Sequence, residues 1–399
     1  MKTQTERKYR QPTVARTLAS ERSANVPDHK RVLIYRLGSL GDTVVALPCF
    51  HLLAAAFAKS ERILLTNLPV NAKAPAARAV LGESGLIHQY ISYPMATRNP
   101  MKLAALCWRI RRMQIDTLVY LTPPRGEGAI RRDELFFRLC GIKDIIGIPR
   151  GGLATYLYDP AADRFESEAS RLARCLAPIG DARLNNSASW DLLLTEREQA
   201  RADNALGPLD GAPFLAVGLA SKIDVNDWGI ANWQTLMPSL RRNFPEHALV
   251  FVGSKEDRAA ADCVAGRWEG TSINVGGDLS PRESAALIEK ADLFIGLDSG
   301  PMHLAASVGT PCVAIFSAHN PPGMWFPHGD VHQVIYHKTD CFDCRLEVCA
   351  IEKKKCILSI TPDEVVAAAM RATEGNRHSA GAYKALVPVT VHSPGSIVS

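Results

Sequence analysis

The sequence predicts an α/β protein made of two doubly wound, Rossmann-like domains that face a single crevice. Short β-branched and leucine-rich runs alternate with longer helix-like stretches, and this order restarts after a polar interruption. The length of 399 residues also exceeds what one hydrophobic core usually supports. Because such sheets bind ligands beyond the carboxyl ends of their parallel strands, we expect the functional residues there.

The first series of runs predicts a domain over residues 31–179. Residues 1–30 before it are polar and rich in Lys and Arg, and we interpret them as a basic, disordered tail without the apolar segment of a signal peptide. The longest apolar run, residues 44–58, is shorter than the roughly 20 residues of a membrane span. We therefore expect a cytoplasmic protein, and the tail leaves open a peripheral contact with the inner face of the membrane.

Within residues 31–179, strands are predicted in RVLIYR, RILLTN, IDTLVYL and DIIGI, and helices over 43–58, 101–113 and 130–139.

Residues 180–211 interrupt this order with a polar stretch, a charged helix and a Gly- and Pro-containing turn, so we interpret them as an interdomain connection. The second domain is predicted over 212–374, and residues 375–399 form a C-terminal tail. Its strands are predicted in PFLAVGLAS, ALVFVG, SINVGG, DLFIGLD and PCVAIF, with helices over 232–242, from 256, in PRESAALIEKA and from 301.

Composition excludes some classes of protein. A hydrophobic content of 47% with 22% charged residues is ordinary for a soluble domain, and a net charge of +5 does not indicate nucleic-acid binding at this length. Local clusters of arginine are either solvated faces or sites for an anionic ligand. They are Arg109, Arg111 and Arg112, followed by Arg125, Arg131 and Arg132.

The first strand ends in RLGSLGD, which contains Gly38, Gly41 and Asp42. Its glycine spacing differs from the GxGxxG fingerprint, and no acid stands at the ribose position, so a nicotinamide-dependent enzyme is not expected. The two glycines permit a tight turn and a close approach of backbone to ligand. Asp42 is either the N-cap of the next helix or a general base in the crevice.

A second strand end lies in IGLDSGPMHLAASVGTPCVAIF, where the predicted strand Leu293–Leu297 is followed by Asp298, Ser299 and Gly300. A helix is predicted to begin there with Pro301 in its first turn. Its free N–H groups and the positive end of its dipole would suit a diphosphate, and His303 could add a donor from the same face. The alternative for His303 is a hydrogen-bonded core histidine.

A third strand end, in GLASKIDVNDWG, places Ser221 and Lys222 at the same edge. A lysine there could neutralise a phosphate, although a solvated surface lysine is the alternative.

Taken together, these segments resemble glycosyltransferase family 9, the heptosyltransferases of bacterial lipopolysaccharide biosynthesis. RVLIYRLGSLGDTVVALP is similar to the N-terminal signature of that family, and DSGPMHLAASVGTPCVAIF to its more specific C-terminal one. The similarity extends over residues 31–369. It implies a GT-B fold and an inverting, metal-independent transfer from a nucleotide-diphosphate sugar, usually ADP-heptose, to a phosphorylated glycolipid acceptor. From the modest net charge, no nucleic-acid partner is expected.

The resemblance also implies roles for individual residues. Asp42 would be the catalytic base and Asp298 would hold the donor sugar. The diphosphate would be held by the Ser299–Gly300 backbone, His303, Ser221 and Lys222, and the ribose by Glu256. Since family acceptors carry phosphate, we expect acceptor contacts from Arg125, Arg131 and Arg132.

One departure from the family concerns Asn226, which stands where many relatives have a lysine. Lys222, four residues upstream, could supply the missing charge. If it does not, the donor could be another nucleotide sugar and the acceptor an O-antigen or capsule glycan. A third alternative is a non-catalytic scaffold that binds nucleotide sugars.

Four of the ten cysteines fall in CFDCRLEVCAIEKKKC. No cofactor is expected for catalysis, but the spacing could supply four thiolates to a structural zinc. Free thiols and disulfides are the alternatives, and disulfides fit a cytoplasmic location least. The cysteines concerned are Cys341, Cys344, Cys349 and Cys356.

Overall fold

The computed structural model describes residues 30–68, 77–94, 97, 99–379 and 390–392. The predicted N-terminal tail therefore lies outside the described residues except for Lys30, and the predicted C-terminal tail is described only over 375–379 and 390–392. Within the described part, no helix is both long and apolar enough to cross a bilayer.

The first sheet has five parallel strands in the order β3-β2-β1-β4-β5, with helices on both faces. Its central strand is buried from both sides because almost every position is apolar. The predicted helix over 43–58 is divided at Ala46, just before Pro48. Its elements are β1 Arg31–Tyr35, α1 Leu40–Val45, α2 Leu47–Ala56, β2 Glu61–Leu68, α3 Ala77–Leu81, β3 Gln89–Pro94, α4 Pro100–Arg112, β4 Thr117–Tyr120, α5 Gly126–Leu139 and β5 Asp144–Ile146.

A connecting region follows, made of a short antiparallel hairpin and two helices. The charged helix predicted there is present, and a capping box between Thr195 and Glu198 starts it. Short 3₁₀ turns lie at Gly151–Ala154, Ser187–Trp190 and Gly207–Leu209. The elements are β6 Tyr158–Asp159, β7 Arg164–Phe165, α6 Glu168–Leu176 and α7 Glu196–Leu206.

The second sheet has seven parallel strands in the order β10-β9-β8-β11-β12-β13-β14. The predicted strand Leu293–Leu297 is observed with those bounds. Two 3₁₀ turns, Asp224–Asn226 and Lys255–Asp257, follow β8 and β9. The elements are β8 Phe214–Gly218, α8 Ile230–Asn243, β9 Ala248–Phe251, α9 Arg258–Ala265, β10 Ser272–Asn274, α10 Pro281–Ile288, β11 Leu293–Leu297, α11 Gly300–Ser307, β12 Cys312–Phe316, β13 Gln333–His337, α12 Lys355–Leu358, α13 Pro362–Ser379 and β14 Thr390–His392.

Helix α10 contacts both the connecting region and helix α3 of the first domain through Arg282, which is 3% exposed. Its Nη1 donates to the carbonyl oxygens of Val80 at 2.9 Å and Leu192 at 2.7 Å, and its Nε donates to Glu198 Oε1 at 2.6 Å. A buried cation paired in this way holds its partners in one arrangement.

The starts of α1 and α11 meet across the crevice, and only glycine fits at the two points of closest approach. A Cβ on Gly41 would lie 2.8 Å from His303 Cδ2, and one on Gly300 would lie 2.6 Å from Leu40 Cδ2. The two domains therefore bring a loop from β1 and a loop from β11 into contact. The predicted α/β fold with two Rossmann-like halves facing a crevice is confirmed.

Candidate active site

Asp42 occupies the third position of α1, so the alternative interpretation of Asp42 as the N-cap is wrong. Ser39 is the N-cap, and Asp42 Oδ2 accepts hydrogen bonds from Ser39 N at 2.7 Å and from Ser39 Oγ at 2.8 Å. These bonds form a capping box and hold the carboxylate in one orientation. Its other oxygen, Oδ1, lies 4.0 Å from the buried guanidinium of Arg36.

Gly38 permits this orientation. Its φ is +140°, and a Cβ there would lie 2.4 Å from the Cβ of Asp42. Its N–H donates to Asn67 Oδ1 at 2.9 Å, which fixes the loop against β2. A side chain at Gly38 would therefore displace the carboxylate.

Asp298 is held from two sides at the end of β11. Asn226 Nδ2 donates to Asp298 Oδ2 at 3.2 Å, and Ser221 Oγ donates to the Asp298 carbonyl oxygen at 3.1 Å. Asn226 is 2% exposed, and its own amide oxygen accepts a short hydrogen bond from Ser317 Oγ. Asn226, which the sequence marked only as a departure from the family, is thus the residue that orients the Asp298 carboxyl.

Burial raises the pKa of Asp298 from 3.8 to about 7, and the charge of Asp42 adds to the increase, while the hydrogen bond from Asn226 opposes it. Asp42 lies in the first domain and Asp298 in the second, so this effect acts across the crevice. A neutral amide at position 226 stabilises the ionised Asp298 less than an ammonium group would.

His303 is 6% exposed, and burial lowers its pKa from 6.5 to about 4 despite the nearby charge of Asp42. Its imidazole is therefore neutral at physiological pH and can offer one N–H donor rather than a positive charge. The ring packs against Gly41 and lines a cavity of about 370 Å³ between α1, the β6–β7 hairpin and residues 323–330. His303 is thus a buried, neutral histidine at the crevice, and its predicted role as a donor to the diphosphate stays a prediction.

Another cavity, of about 220 Å³, lies at the carboxyl ends of β8 and β9 and at the starts of α1 and α11. The side-chain oxygen of Ser299 is buried with no hydrogen-bond partner among the described atoms. A buried hydroxyl in that state requires a partner, such as a ligand or water. Among the residues predicted to bind donor, the lining includes Ser221, Lys222, Ser299 and Gly300.

The position predicted for the ribose contact is less well placed. Glu256 is exposed on the 3₁₀ turn after β9, whereas its neighbour Asp257 lines the cavity. Asp257 Oδ2 already accepts hydrogen bonds from Ser254 N at 2.9 Å and Ser254 Oγ at 2.7 Å, so its carboxylate caps the turn.

The arginines predicted to bind acceptor occupy different surroundings. Arg125 Nη1 lies 2.6 Å from Asp133 Oδ2 and 3.2 Å from Tyr35 Oη, so an internal carboxylate already balances its charge. Arg131 is exposed, with a 3.5 Å ion pair to Glu127, and Arg132 is exposed on the same helix. The structure therefore places Arg125 at the crevice edge and the other two on the outer face of α5.

The cysteines do not form the predicted zinc site. All ten are free thiols, and among the described residues no three His, Cys, Asp or Glu side chains are arranged to hold a metal ion. Cys356 belongs to the hydrophobic core at 6% exposure, and Cys349 Sγ accepts the Lys354 N–H at 3.3 Å. The assignment of Cys341, Cys344, Cys349 and Cys356 as zinc ligands is therefore not supported by the geometry.

Comparison with known proteins matches residues 172–355 to glycosyltransferase family 9 (heptosyltransferase). The lipopolysaccharide core heptosyltransferase OpsX of Haemophilus influenzae is 41% identical over 132 residues, which are 33% of this chain and 38% of that protein. The chain spans little more than a third of the length of the curated relatives it matches.

Solved structures agree over a longer range. A glycosyltransferase family 9 protein from Veillonella parvula has a TM-score of 0.67 at 18% identity, covering 88% of this chain and 99% of its own. The Escherichia coli heptosyltransferase WaaC, solved with ADP-2-deoxy-2-fluoro heptose, has a TM-score of 0.57 at 14% identity, covering 87% and 99%. At these identities the likeness shows the GT-B fold alone. Through its residues 172–355, the chain is thus similar to glycosyltransferase family 9, the heptosyltransferase family.

Proposed function

We propose that this protein transfers a heptose or related sugar, with inversion and without a metal, from a nucleotide-diphosphate sugar to a lipopolysaccharide core-type acceptor. ADP-heptose is the first candidate donor. The observation that carries the proposal is the meeting of two groups at one crevice: the oriented carboxylate of Asp42 and the N-terminal end of α11. An inverting transfer needs a base on one side of the anomeric carbon and a site for the departing diphosphate on the other.

The donor would occupy the cavity at the ends of β8 and β9. The N–H groups at the start of α11 and the Ser299 hydroxyl would bind the diphosphate, with Ser221 and Lys222 beside it. Glu256 remains our candidate for the ribose. Asp298 would accept a hydrogen bond from a hydroxyl of the donor sugar, in the orientation that Asn226 imposes.

Asp42 would take the proton. The acceptor oxygen bonds to the anomeric carbon as the bond from that carbon to the diphosphate oxygen breaks, and the acceptor proton passes to a carboxylate oxygen. Ser39 occupies Oδ2, so Oδ1 is the oxygen we assign to this step. His303, neutral beside this centre, would act as a hydrogen-bond donor and would help to exclude water from it.

The acceptor is proposed to reach the crevice on the side of the first domain. Arg125, at the crevice edge but paired with Asp133, would contact an acceptor phosphate only by sharing its guanidinium. Arg131 and Arg132 are exposed and would contribute long-range attraction to a phosphorylated glycolipid.

The donor sugar has a second candidate, because Asn226 offers an amide where many relatives offer an ammonium group. Another nucleotide sugar, with an O-antigen or capsule acceptor, would fit the same fold and the same base. A non-catalytic nucleotide-sugar scaffold would use the cavity but not Asp42.

The test is thermal unfolding with ADP, GDP, UDP and their sugar conjugates, since a ligand at a hundred times its dissociation constant stabilises a protein by about 2.7 kcal/mol. We expect a selective shift with ADP-heptose, followed by turnover with a core-type acceptor. A shift in melting temperature with another nucleotide sugar would reassign the donor, whether or not Asn226→Lys reverses that shift. Binding without turnover on any acceptor would favour the scaffold.

A further inference from the structure

The outward faces of α4 and α5 expose large apolar side chains that no other described element covers. Met101 and Trp108 on α4 are 77% and 60% exposed, and Leu135 and Leu139 on α5 are 62% and 60% exposed. The helices are neighbours, and Arg111 Nη1 of α4 donates to the Leu139 carbonyl oxygen at 2.8 Å. Apolar side chains grouped in this way, unlike single ones, indicate a contact surface.

The helical period shows that this exposure is a continuous stripe on α4. Ile110 is buried, with Leu106 and Cys107 packed against the same core. On the opposite side lie positions i, i+4, i+7 and i+11, all of them exposed. These residues are Met101, Ala105, Trp108 and Arg112.

Cations surround the stripe. Helix α4 has four basic residues and no acid. The Arg112 guanidinium lies over the Trp108 ring, 4.7 Å from its centroid, so the two present one combined apolar and cationic surface. The basic residues are Lys102, Arg109, Arg111 and Arg112.

On α5, the carboxylates of Asp133 and Glu134 are already paired with arginines, and the exposed Glu127 faces Arg131. The combined surface therefore keeps an excess of positive charge. We call it the α4–α5 face, defined by Met101, Trp108, Leu135, Leu139, Lys102, Arg109 and Arg112.

We propose that the α4–α5 face docks on an anionic lipid bilayer. Helices with exposed apolar residues flanked by Lys and Arg bind in the plane of such an interface, and tryptophan favours that depth. A second copy of this chain is disfavoured as the occupant, because two such faces would place cations against cations. Nucleic acid would attract the arginines but would leave the leucines without a partner.

The face also lies where a membrane-bound acceptor would need it. Helices α4 and α5 begin shortly after the carboxyl ends of β3 and β4, so their N-terminal ends are at the crevice edge. This point alone rests on the proposed function: a lipid-linked acceptor would then present its glycan directly to the crevice.

The experiment is co-sedimentation of the full chain with vesicles of phosphatidylglycerol and phosphatidylethanolamine, compared with phosphatidylcholine vesicles. The charge-reversal variant is Arg109→Glu with Arg112→Glu. The matched control is Arg242→Glu with Arg267→Glu, two exposed arginines in the second domain, which gives the same change in net charge. Since each cation near an anionic surface strengthens binding about five-fold, we expect binding weakened about 30-fold or more in the first variant and little change in the control.

A second pair of variants tests the apolar part of the face. Trp108→Ala should weaken vesicle binding at raised salt, where the cations contribute less, while Ile351→Ala, which alters a side chain 85% exposed elsewhere, should not. Equal binding by wild type and the α4 variants would overturn the proposal and assign any binding to another basic segment. Loss of self-association in Trp108→Ala with unchanged vesicle binding would overturn it in favour of a second copy.

The outcome is independent of the proposed function, because vesicle binding is measured without nucleotide sugar. A chain that binds vesicles through this face but shows no nucleotide-sugar shift would reject the glycosyltransferase proposal and keep this one. A chain that is stabilised by ADP-heptose but does not bind vesicles would reject the membrane proposal and keep the glycosyltransferase proposal.

Discussion

At the scale of single residues, the site depends on how Asp298 is held. Its carboxyl accepts from the amide of Asn226, and its pKa is raised to about 7, mainly by burial. Whether the group carries charge near neutral pH therefore depends on small changes in its surroundings. A donor hydroxyl that donates to it would favour the ionised form.

This raised pKa predicts a pH dependence of stability. Between about pH 4 and pH 7 the folded chain retains on Asp298 a proton that the unfolded chain has released, so stability falls as pH rises through this window. Asp298→Asn removes that contribution. The melting temperature of the variant minus that of the wild type should therefore rise from pH 4 to pH 7. A difference that stays constant across the window would contradict the assignment.

The sequence predicts Asp42 and Asp298 as site residues but not the contacts that orient their carboxyl groups. Ser39 followed three residues later by Asp42 has the spacing of a capping box, in which the acid is the last member and not the N-cap. The contact between Asn226 and Asp298 joins residues 72 positions apart, so no local pattern reveals it. It exists because β8 and β11 are neighbours in the sheet.

At the scale of elements, the packing of α1 against α11 sets the distance between base and diphosphate site. Gly41→Ala would place a methyl group 2.8 Å from His303 Cδ2. We expect a loss of about 1–3 kcal/mol in the free energy of unfolding, as for other overpacked sites. Because the added methyl group would push the starts of α1 and α11 apart, kcat should fall by more than the loss of folded protein explains.

Urea unfolding and turnover of the variant measure both effects. The control is Gly128→Ala on α5, where an added Cβ meets nothing within 4 Å and helix propensity favours alanine by up to about 1 kcal/mol. Turnover of Gly41→Ala equal to that of the control would show that α1 and α11 need not meet so closely.

Long apolar elements were the predictable ones. Strand β11 is apolar throughout and is predicted with its bounds, whereas most positions of β3 and β13 are half-buried or exposed, and these two strands are not predicted. Strand β14 lies in the predicted C-terminal tail and pairs with β13, with Ile335 opposite Thr390, so no local pattern reveals this contact. Hydrophobic patterns thus predict strands that are buried on both faces better than strands that are partly exposed.

At the scale of the whole molecule, the relation between the two domains rests partly on Arg282. Arg282→Ala would leave Glu198 buried without its cation and would free the carbonyl groups of Val80 and Leu192. Removing one partner of a buried pair costs about 3–5 kcal/mol, so we expect a loss of that size in chemical unfolding.

The matched control is Arg197→Ala. Arg197 is paired with Glu83 at 2.5 Å, but both side chains are largely exposed, at 73% and 51%. Exposed pairs contribute about 0–1 kcal/mol, so this variant should unfold close to the wild type. Equal losses in the two variants would mean that the buried pair does not hold the domains together.

The central claim is that Asp42 is the base of a sugar transfer, and Asp42→Asn tests it most directly. An amide keeps the shape of the side chain and can still accept from Ser39, so the donor-induced shift in melting temperature should persist. Turnover should fall by roughly 10²–10⁴-fold, as expected when a general base is lost. Full turnover by Asp42→Asn, with the same donor and acceptor, would contradict the account.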